Sequence, residues 1–442
     1  MIINSRYNIL FKDKSFNYAF NSLSGSLIKI TKNQLLFLQE GKNANSLDLS
    51  NSEQRILIEN GFLIEDNFNE LEFLEKNFRT MSKNPYSAIY TLYLSMKCNL
   101  ACPYCIEKSS NKTINEIDLE ILERFIVNQL STINNVLVVW SGGEPLLYWE
   151  KIKKLSKTFK SNSRKPFYSR IVTNGVLLTE EIARELPTYN IKHAQITLDG
   201  PPEIHDTSRI FKSKKGSFNQ VLQGIINASK YIKVTIRINI DSVNAKHIPR
   251  LLELLNSSDI SKENVILSFK PIVPGYNTKD TSNLLSNRDF SIIEIELYKQ
   301  AKKYNFPTSL YTVNPNSVRC AYFHNNSFNI SPDLKLYRCS EQIEETQFAC
   351  GKIDEDSNIK LYRNVNKLET YDPYEDEECK RCKALPLCMG KCPITINNKN
   401  CNHGDGCVPH KFNTCERVLL QNNIEYNDLL ECAENPLKSR CN

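Results

Sequence analysis

Ser95-Met96-Lys97-Cys98-Asn99-Leu100-Ala101-Cys102-Pro103-Tyr104-Cys105 places three thiols within eight residues, directly after the run Ile89 to Leu94, which alternates like a buried strand. A closed structural zinc site or a fully ligated cluster takes four protein ligands. Three cysteines in one loop therefore imply a metal with a coordination position left for a small molecule. Soft thiolates select zinc or iron–sulfur, and of the two only the cluster brings electrons, so Cys98, Cys102 and Cys105 point to an iron–sulfur cluster. The loop alone leaves open a fragment of a zinc site completed from elsewhere, or three free thiols.

The 442 residues, 40% of them hydrophobic, give room for two or three domains with cores of their own. No run of eighteen apolar residues occurs, and Met1-Ile2-Ile3-Asn4-Ser5-Arg6 lacks a signal-peptide pattern, so the expectation is a cytoplasmic protein with no membrane partner. The 56 basic and 50 acidic residues are interspersed, and a net charge of +6 is too weak and too dispersed for a nucleic-acid binder. Fifteen cysteines, an odd number clustered at short spacings in a chain of this kind, read as metal ligation in a reducing compartment.

Working outward, residues 1–85 read as a small module. Asn4 to Lys12, Tyr18 to Asn21 and Leu27 to Ile30 are strand-like, Thr31 and Ser50 or Asn51 are candidate helix caps, Gly61 to Ile64 is a returning strand and Glu70 to Met81 a linker helix. Residues 86–310 then alternate strand and helix. Strands are expected at Tyr90 to Leu94, Val136 to Trp140, Tyr168 to Thr173, Ala194 to Leu198, Val234 to Ile240 and Val265 to Phe269, with helical stretches between them and after the last. Six such units predict a parallel sheet wrapped by helices, with its site at the carboxyl ends of the strands.

Those ends carry polar sequence. The second strand leads into Ser141-Gly142-Gly143-Glu144-Pro145, where two glycines allow a close backbone approach and a carboxylate can accept from an ammonium group; a plain Gly-Gly turn is the alternative. The third ends Val172-Thr173-Asn174-Gly175, and the fourth enters Thr197-Leu198-Asp199-Gly200, followed by His205 and Arg209, which read as a hydrogen-bonded corner. On the fifth strand Arg237 and Asn239 share a face, either as ligand contacts or as an interior salt bridge. Residues 311–442 hold Cys379-x2-Cys382-x5-Cys388-x3-Cys392, preceded by Cys320 and Cys339 and followed by Cys401, Cys407 and Cys415. Cys350 reads as a packed small hydrophobe, and Cys432 and Cys441 as free thiols.

Cys98-x3-Cys102-x2-Cys105 with Tyr104 before the last cysteine resembles the cluster loop of the radical S-adenosylmethionine (SAM) superfamily, and the cysteine series from 320 to 415 resembles the SPASM domain that follows the barrel in its peptide-maturase branch. The resemblance implies an α/β fold: a partial (β/α)6 barrel with an N-terminal winged-helix-like, peptide-recognising module and a C-terminal Cys-rich iron–sulfur domain. It implies SAM bound to a 4Fe-4S cluster at Cys98, Cys102 and Cys105, with Tyr104, Gly142, Gly143, Glu144, Thr197 and Arg237 around it. It also implies two auxiliary 4Fe-4S clusters, one at Cys320, Cys339 and Cys392, the other at Cys379, Cys382, Cys388 and a late cysteine, Cys415 ahead of Cys407. No cysteine lies between Cys320 and Cys339, so the first has an open iron or recruits Cys350, Cys401 or Cys407; and Leu334 stands where the family has Gly. The implied activity is a thioether or carbon–carbon crosslink in a ribosomally made precursor peptide, with electrons from a flavodoxin or ferredoxin. A sulfatase-type maturase forming formylglycine is the near alternative, although that branch has Asp where this chain has Ser340; a non-catalytic metal-binding scaffold is the distant one.

Overall fold

The structure, a computed structural model, describes residues 1–40, 49–107, 110–163, 165, 167–273, 282–310, 320–362, 371–397, 406–426 and 431–432. Cys401, Cys441 and the side chain of Cys432 lie outside the described residues.

Six parallel strands form the centre: β6 (Ser87–Tyr93), β7 (Asn135–Ser141), β8 (Tyr168–Thr173), β9 (Ile191–Thr197), β10 (Lys233–Ile240) and β11 (Val265–Pro271), adjacent in chain order. Helices α4 (Glu116–Thr132), α5 (Trp149–Asn162), α6 (Glu180–Glu185), α7 (Pro202–Ser208), α8 (Phe218–Ser229), α9 (Ile248–Asn256) and α10 (Asn287–Lys303) follow in turn. The two longest, α4 and α10, each start where a short polar side chain satisfies a free N–H: Asn115 accepts from Asp118 at 2.8 Å and Ser286 from Asp289 at 3.0 Å. Leu92, Trp140, Ile171, Ile196, Ile236 and Leu267 are fully buried and, with helix residues such as Phe125 and Leu155, form one core under the strands. The expected strands and helices are all present, several of them longer than expected. The unexpected element is α7, one short helix in a stretch whose Gly200-Pro201-Pro202 opening reads as a turn; prolines at its start leave no needed N–H unsatisfied.

The sheet does not stop where the cysteine-rich region was expected to begin. β12 (Ser327–Ile330) pairs in parallel with β6, Ser327 opposite Ile89, and β13 (Lys335–Tyr337), β14 (Gly351–Ile353) and β15 (Ile359–Leu361) continue antiparallel to make ten strands. Leu334, in the β12–β13 turn, takes φ +61°, the left-handed conformation in which Gly is at ease, and is buried.

At the N-terminus, β1 (Ile2–Asn4) pairs with β5 (Leu63–Glu65), while β2 (Asn8–Lys12), β3 (Asn17–Asn21) and β4 (Leu27–Ile30) form an antiparallel sheet with α1 (Lys32–Glu40) and α2 (Asn51–Glu59). The run expected from Asn4 to Lys12 is thus split between two sheets. Ser50 and Glu53 make a reciprocal cap at α2, and Thr31 with Gln34 does the same at α1. Helix α3 (Glu70–Ser82) links to the barrel, Phe78 packing on Tyr374 beside Cys379 and Leu385. β16 (Glu431–Cys432) closes on β2, so the chain end returns to the first module.

Candidate functional site

The loop after β6 is held on both sides. Met96 N–H donates to Lys112 O at 2.8 Å on one flank; on the other, Ala101 N–H donates to Ile210 O at 2.8 Å and Leu100 bridges Phe211. Cys98, Cys102 and Cys105 are drawn in by this clasp, Cys102 to 7% exposure. Burial pushes the Cys98 thiol up to about 11 and that of Cys105 up to about 12, each sensing the charge of Cys102. Left to themselves these are neutral thiols, so their use as thiolates requires a metal that displaces the protons.

The Ser141–Pro145 segment lies against that loop. Gly142 has φ +136°, and a Cβ there would meet Ser95 O at 2.4 Å; a Cβ on Gly143 would meet Lys97 O at 2.3 Å and Met96 O at 2.4 Å. Gly143 N–H donates to Ser95 O at 3.1 Å and Glu144 N–H to Lys97 O at 2.8 Å. The close approach that the two glycines permit is therefore to the backbone of the cysteine loop. Glu144, 1% exposed, accepts from Thr173 Oγ1 at 2.7 Å, Asn174 N–H at 2.8 Å and Leu146 N–H at 3.0 Å. Burial raises its pKa against these donors. A carboxylate offers about four acceptor sites, so three donors leave it room for one more. Asn174 also reaches Asn99 Oδ1 at 2.7 Å and Cys98 Sγ at 3.7 Å, which makes it part of the site rather than of a plain turn.

Asp199, at the end of β9, gathers a second network. Tyr104 donates its hydroxyl proton to Asp199 Oδ2, Arg209 Nη1 donates to Tyr104 Oη at 2.9 Å and lies 4.0 Å from Asp199, and Asn239 N–H donates to Asp199 Oδ1 at 2.8 Å. Tyr104 is thereby fixed beneath the loop. His205 is fully buried, its Nδ1 accepting from Asp199 N–H at 3.2 Å and its Nε2 set 3.1 Å from Ser217 Oγ; burial lowers its pKa to about 3. It is the neutral corner expected from sequence. Thr197 stands opposite Arg237 across β9 and β10, and Arg237 Nε donates to Asn239 Oδ1 at 2.7 Å while its charge acts on Asp199 and Glu341. Sequence reading missed Asp199 as the hub, because an Asp before Gly also reads as turn chemistry. It also missed the half-buried carboxylates Glu107 and Glu341, two residues past Cys105 and Cys339, whose pKa values desolvation raises.

The C-terminal thiols separate into two groups. Cys339 senses the charges of Cys320 and Cys392, and burial raises its thiol well above the ordinary value. Cys379, Cys382, Cys388 and Cys407 line one cleft, where burial lifts Cys388 to about 12. Cys415 does not line it; α14 (Thr414–Gln421) turns this thiol into an apolar cluster with Phe11, Phe20 and Leu387. The segment Asn413 to Arg417 docks on α10. Arg417 is ion-paired with Glu294, both side chains 2% exposed or less, and Asn413 donates to Ser291 O at 2.7 Å. Cys350 packs in the main core and lies 3.2 Å from Leu336 O. Among the described residues no three His, Cys, Asp or Glu side chains are grouped to hold a single metal ion, whereas thiols ranged around a cleft suit a multi-iron cluster.

Residues 92–255, which carry the strand-end cysteine loop, the Gly-Gly-Glu turn and most of the parallel sheet, match the Radical SAM superfamily; the protein is an enzyme with a radical SAM domain, and its cofactors are SAM and 4Fe-4S clusters. Among curated relatives the chain is 25% identical over 360 residues to a cysteine-type anaerobic sulfatase-maturating enzyme of Clostridium novyi, covering 75% of this chain and 93% of that one. It is 23% identical to the radical SAM cyclopropyl synthase TigE of Paramaledivibacter caminithermalis, covering 90% and 91%. Among solved structures, anSMEcpe with bound AdoMet and peptide superposes with a TM-score of 0.60 at 21% identity, over 77% of this chain and all of that one. Streptococcus suis SuiB superposes with a TM-score of 0.50 at 14% identity, over 90% and 97%. These likenesses establish the fold. No helix among the described residues is long and apolar enough to cross a membrane.

Proposed function

We propose that the protein is a radical SAM peptide maturase that installs a thioether or carbon–carbon crosslink in a ribosomally made precursor peptide, drawing electrons from a flavodoxin- or ferredoxin-like donor. Cys98, Cys102 and Cys105 hold the SAM-binding cluster, Glu144 receives the SAM ammonium, and Gly142, Gly143, Tyr104, Thr197 and Arg237 shape the pocket. Reductive cleavage of SAM at that cluster supplies a 5'-deoxyadenosyl radical. The chain's own residues bring the peptide C–H bond to it and keep water out. A first auxiliary cluster is held by Cys320, Cys339 and Cys392. For the second, the cleft favours Cys379, Cys382, Cys388 and Cys407 over the set with Cys415.

The observation that carries this reading is the N-terminal module. Its strands and helices pack on the Cys379 region through Tyr7, Leu23 and Phe78. The sulfatase-maturating structure accounts for 77% of this chain although all of its own chain is covered, whereas TigE covers 90%. A unit added for peptide recognition fits that difference. The formylglycine reading keeps support from the sulfatase-maturating relative that covers 75% of the chain, and loses some from Ser340 after Cys339.

The test is a search of the neighbouring genes for a short Cys-rich reading frame, followed by anaerobic incubation of reconstituted protein, SAM and reductant with the peptide so found, and separately with a sulfatase-derived Cys peptide. Tandem mass spectrometry should find two hydrogens lost from the first peptide with a link between two residues. Loss of sulfur from the second peptide alone would favour formylglycine formation.

A further inference from the structure

The N-terminal module grips the cysteine segment directly. Arg6 Nη2 donates to Lys380 O at 2.6 Å and Ser22 Oγ donates to Lys383 O, the carbonyls one residue past Cys379 and Cys382. Tyr7 packs with Tyr374, Cys379, Leu385 and Met389. These three residues are held from behind by a buried network. Tyr7 N–H donates to Ser5 Oγ at 3.2 Å and Ser22 N–H to Tyr7 O at 3.1 Å. Ser5 in turn donates to Glu70 at 2.5 Å and accepts from Asn21 Nδ2 at 2.8 Å, while Arg6 N–H donates to Glu70 at 2.8 Å.

Tyr7 is the exception in this well-bonded set. It is 1% exposed, yet its hydroxyl has no hydrogen-bond partner among the described residues. A buried hydroxyl in that state is unfavourable, and folded proteins keep few of them. Burial raises its pKa and the charge of Cys382 adds to the rise, so the group is a protonated donor within reach of that cysteine's field. A neutral thiol accepts hydrogen bonds weakly, whereas the sulfurs of an iron–sulfur cluster carry negative charge and accept strongly.

We propose that the second auxiliary cluster anchors the N-terminal module: Tyr7 donates its hydroxyl proton to a sulfur of that cluster, so that loading iron at the Cys379 cleft and seating the module are one coupled event. The proposal rests on the ligand set proposed above. Such coupling is reciprocal, since whatever the cluster contributes to holding the module, the seated module contributes to holding the cluster. The part of the chain assigned to peptide recognition is then seated most firmly in protein that carries its metal.

The experiment is anaerobic hydrogen–deuterium exchange, read by mass spectrometry, on the full-length protein with and without reconstituted iron and sulfide, with iron analysis of each sample. Loading should slow exchange in residues 5–23 about tenfold, as the gain of one charge-assisted hydrogen bond implies. Tyr7→Phe keeps the ring and its packing, and deleting a hydroxyl that has no partner is neutral or stabilising. In the loaded protein Tyr7→Phe should instead speed that exchange roughly tenfold or cost that cluster its iron; in the iron-free protein it should leave exchange equal or slower. No effect in the loaded protein, or an equal speeding in both states, overturns the inference and makes Tyr7 a packing residue. Full iron in Cys382→Ala overturns the ligand set instead. Where the iron-free protein does not hold its fold, the loaded pair decides: faster exchange in Tyr7→Phe supports the inference and unchanged exchange overturns it.

Discussion

Gly143 acts through the side chain it lacks. An alanine Cβ would sit 2.3 to 2.4 Å from two carbonyl oxygens of the cysteine loop, contacts that only backbone movement relieves. Gly143→Ala should therefore cost the cluster at Cys98, Cys102 and Cys105 while the C-terminal iron stays, a difference that iron analysis and EPR resolve. Glu144→Gln keeps the shape but turns an amide NH2 toward one of three donors and removes the charge facing an ammonium. A charge-assisted bond of about 1.5 to 3 kcal/mol predicts a loss in SAM affinity of roughly tenfold or more, measurable by calorimetry. Unchanged affinity would return this segment to a purely structural role. His205 offers a pH test. Its folded pKa of about 3 lies below the ordinary value of 6.5, so the fold keeps its full contribution above pH 6.5 and loses it as the pH falls toward 3. Between pH 6.5 and 5 one proton's linkage is worth about 2 kcal/mol. Urea unfolding should show a pH slope in that window that is smaller in His205→Gln; equal slopes would contradict the buried neutral assignment.

At the scale of elements, the six strands and their helices were legible because each is a run of one periodicity, alternating buried and half-buried positions in the strands and burying one face in the helices. The short pieces were harder to read. The expected link between Leu334 and a tight turn holds in an unexpected way: the turn forms with Leu in the left-handed region, its buried side chain in the main core offsetting the strain. The cysteine series was legible as thiols at short spacings, but spacing alone does not choose between Cys415 and Cys407 as late ligand. The polar residues of the segment Asn413 to Arg417 dock on α10. Arg417→Met would leave Glu294 buried without its cation, which costs about 3 to 5 kcal/mol where such pairs are broken. A lowered thermal midpoint with unchanged iron is the expected outcome, and lost iron would place Arg417 at the metal site instead.

Across the whole molecule, the cysteine-rich region is built onto the barrel sheet through β12 and onto the N-terminal module through Phe78, Tyr374 and β16. Sequence could not foresee either junction, since both depend on pairings between segments hundreds of residues apart that leave no local period. Arg79, ion-paired with Asp372, is a further strut between these parts. The loop at 98–105 and the C-terminal thiols nevertheless belong to different elements with separate supports, which makes their metals separable. The central claim, that the loop holds the SAM-cleaving cluster and the C-terminal thiols hold others, is tested by replacing Cys98, Cys102 and Cys105 together with Ala and measuring iron and 5'-deoxyadenosine in the same anaerobic preparation. The account predicts no 5'-deoxyadenosine and retained C-terminal iron. SAM cleavage at the wild-type rate, or iron equal to that of the wild type, would contradict it.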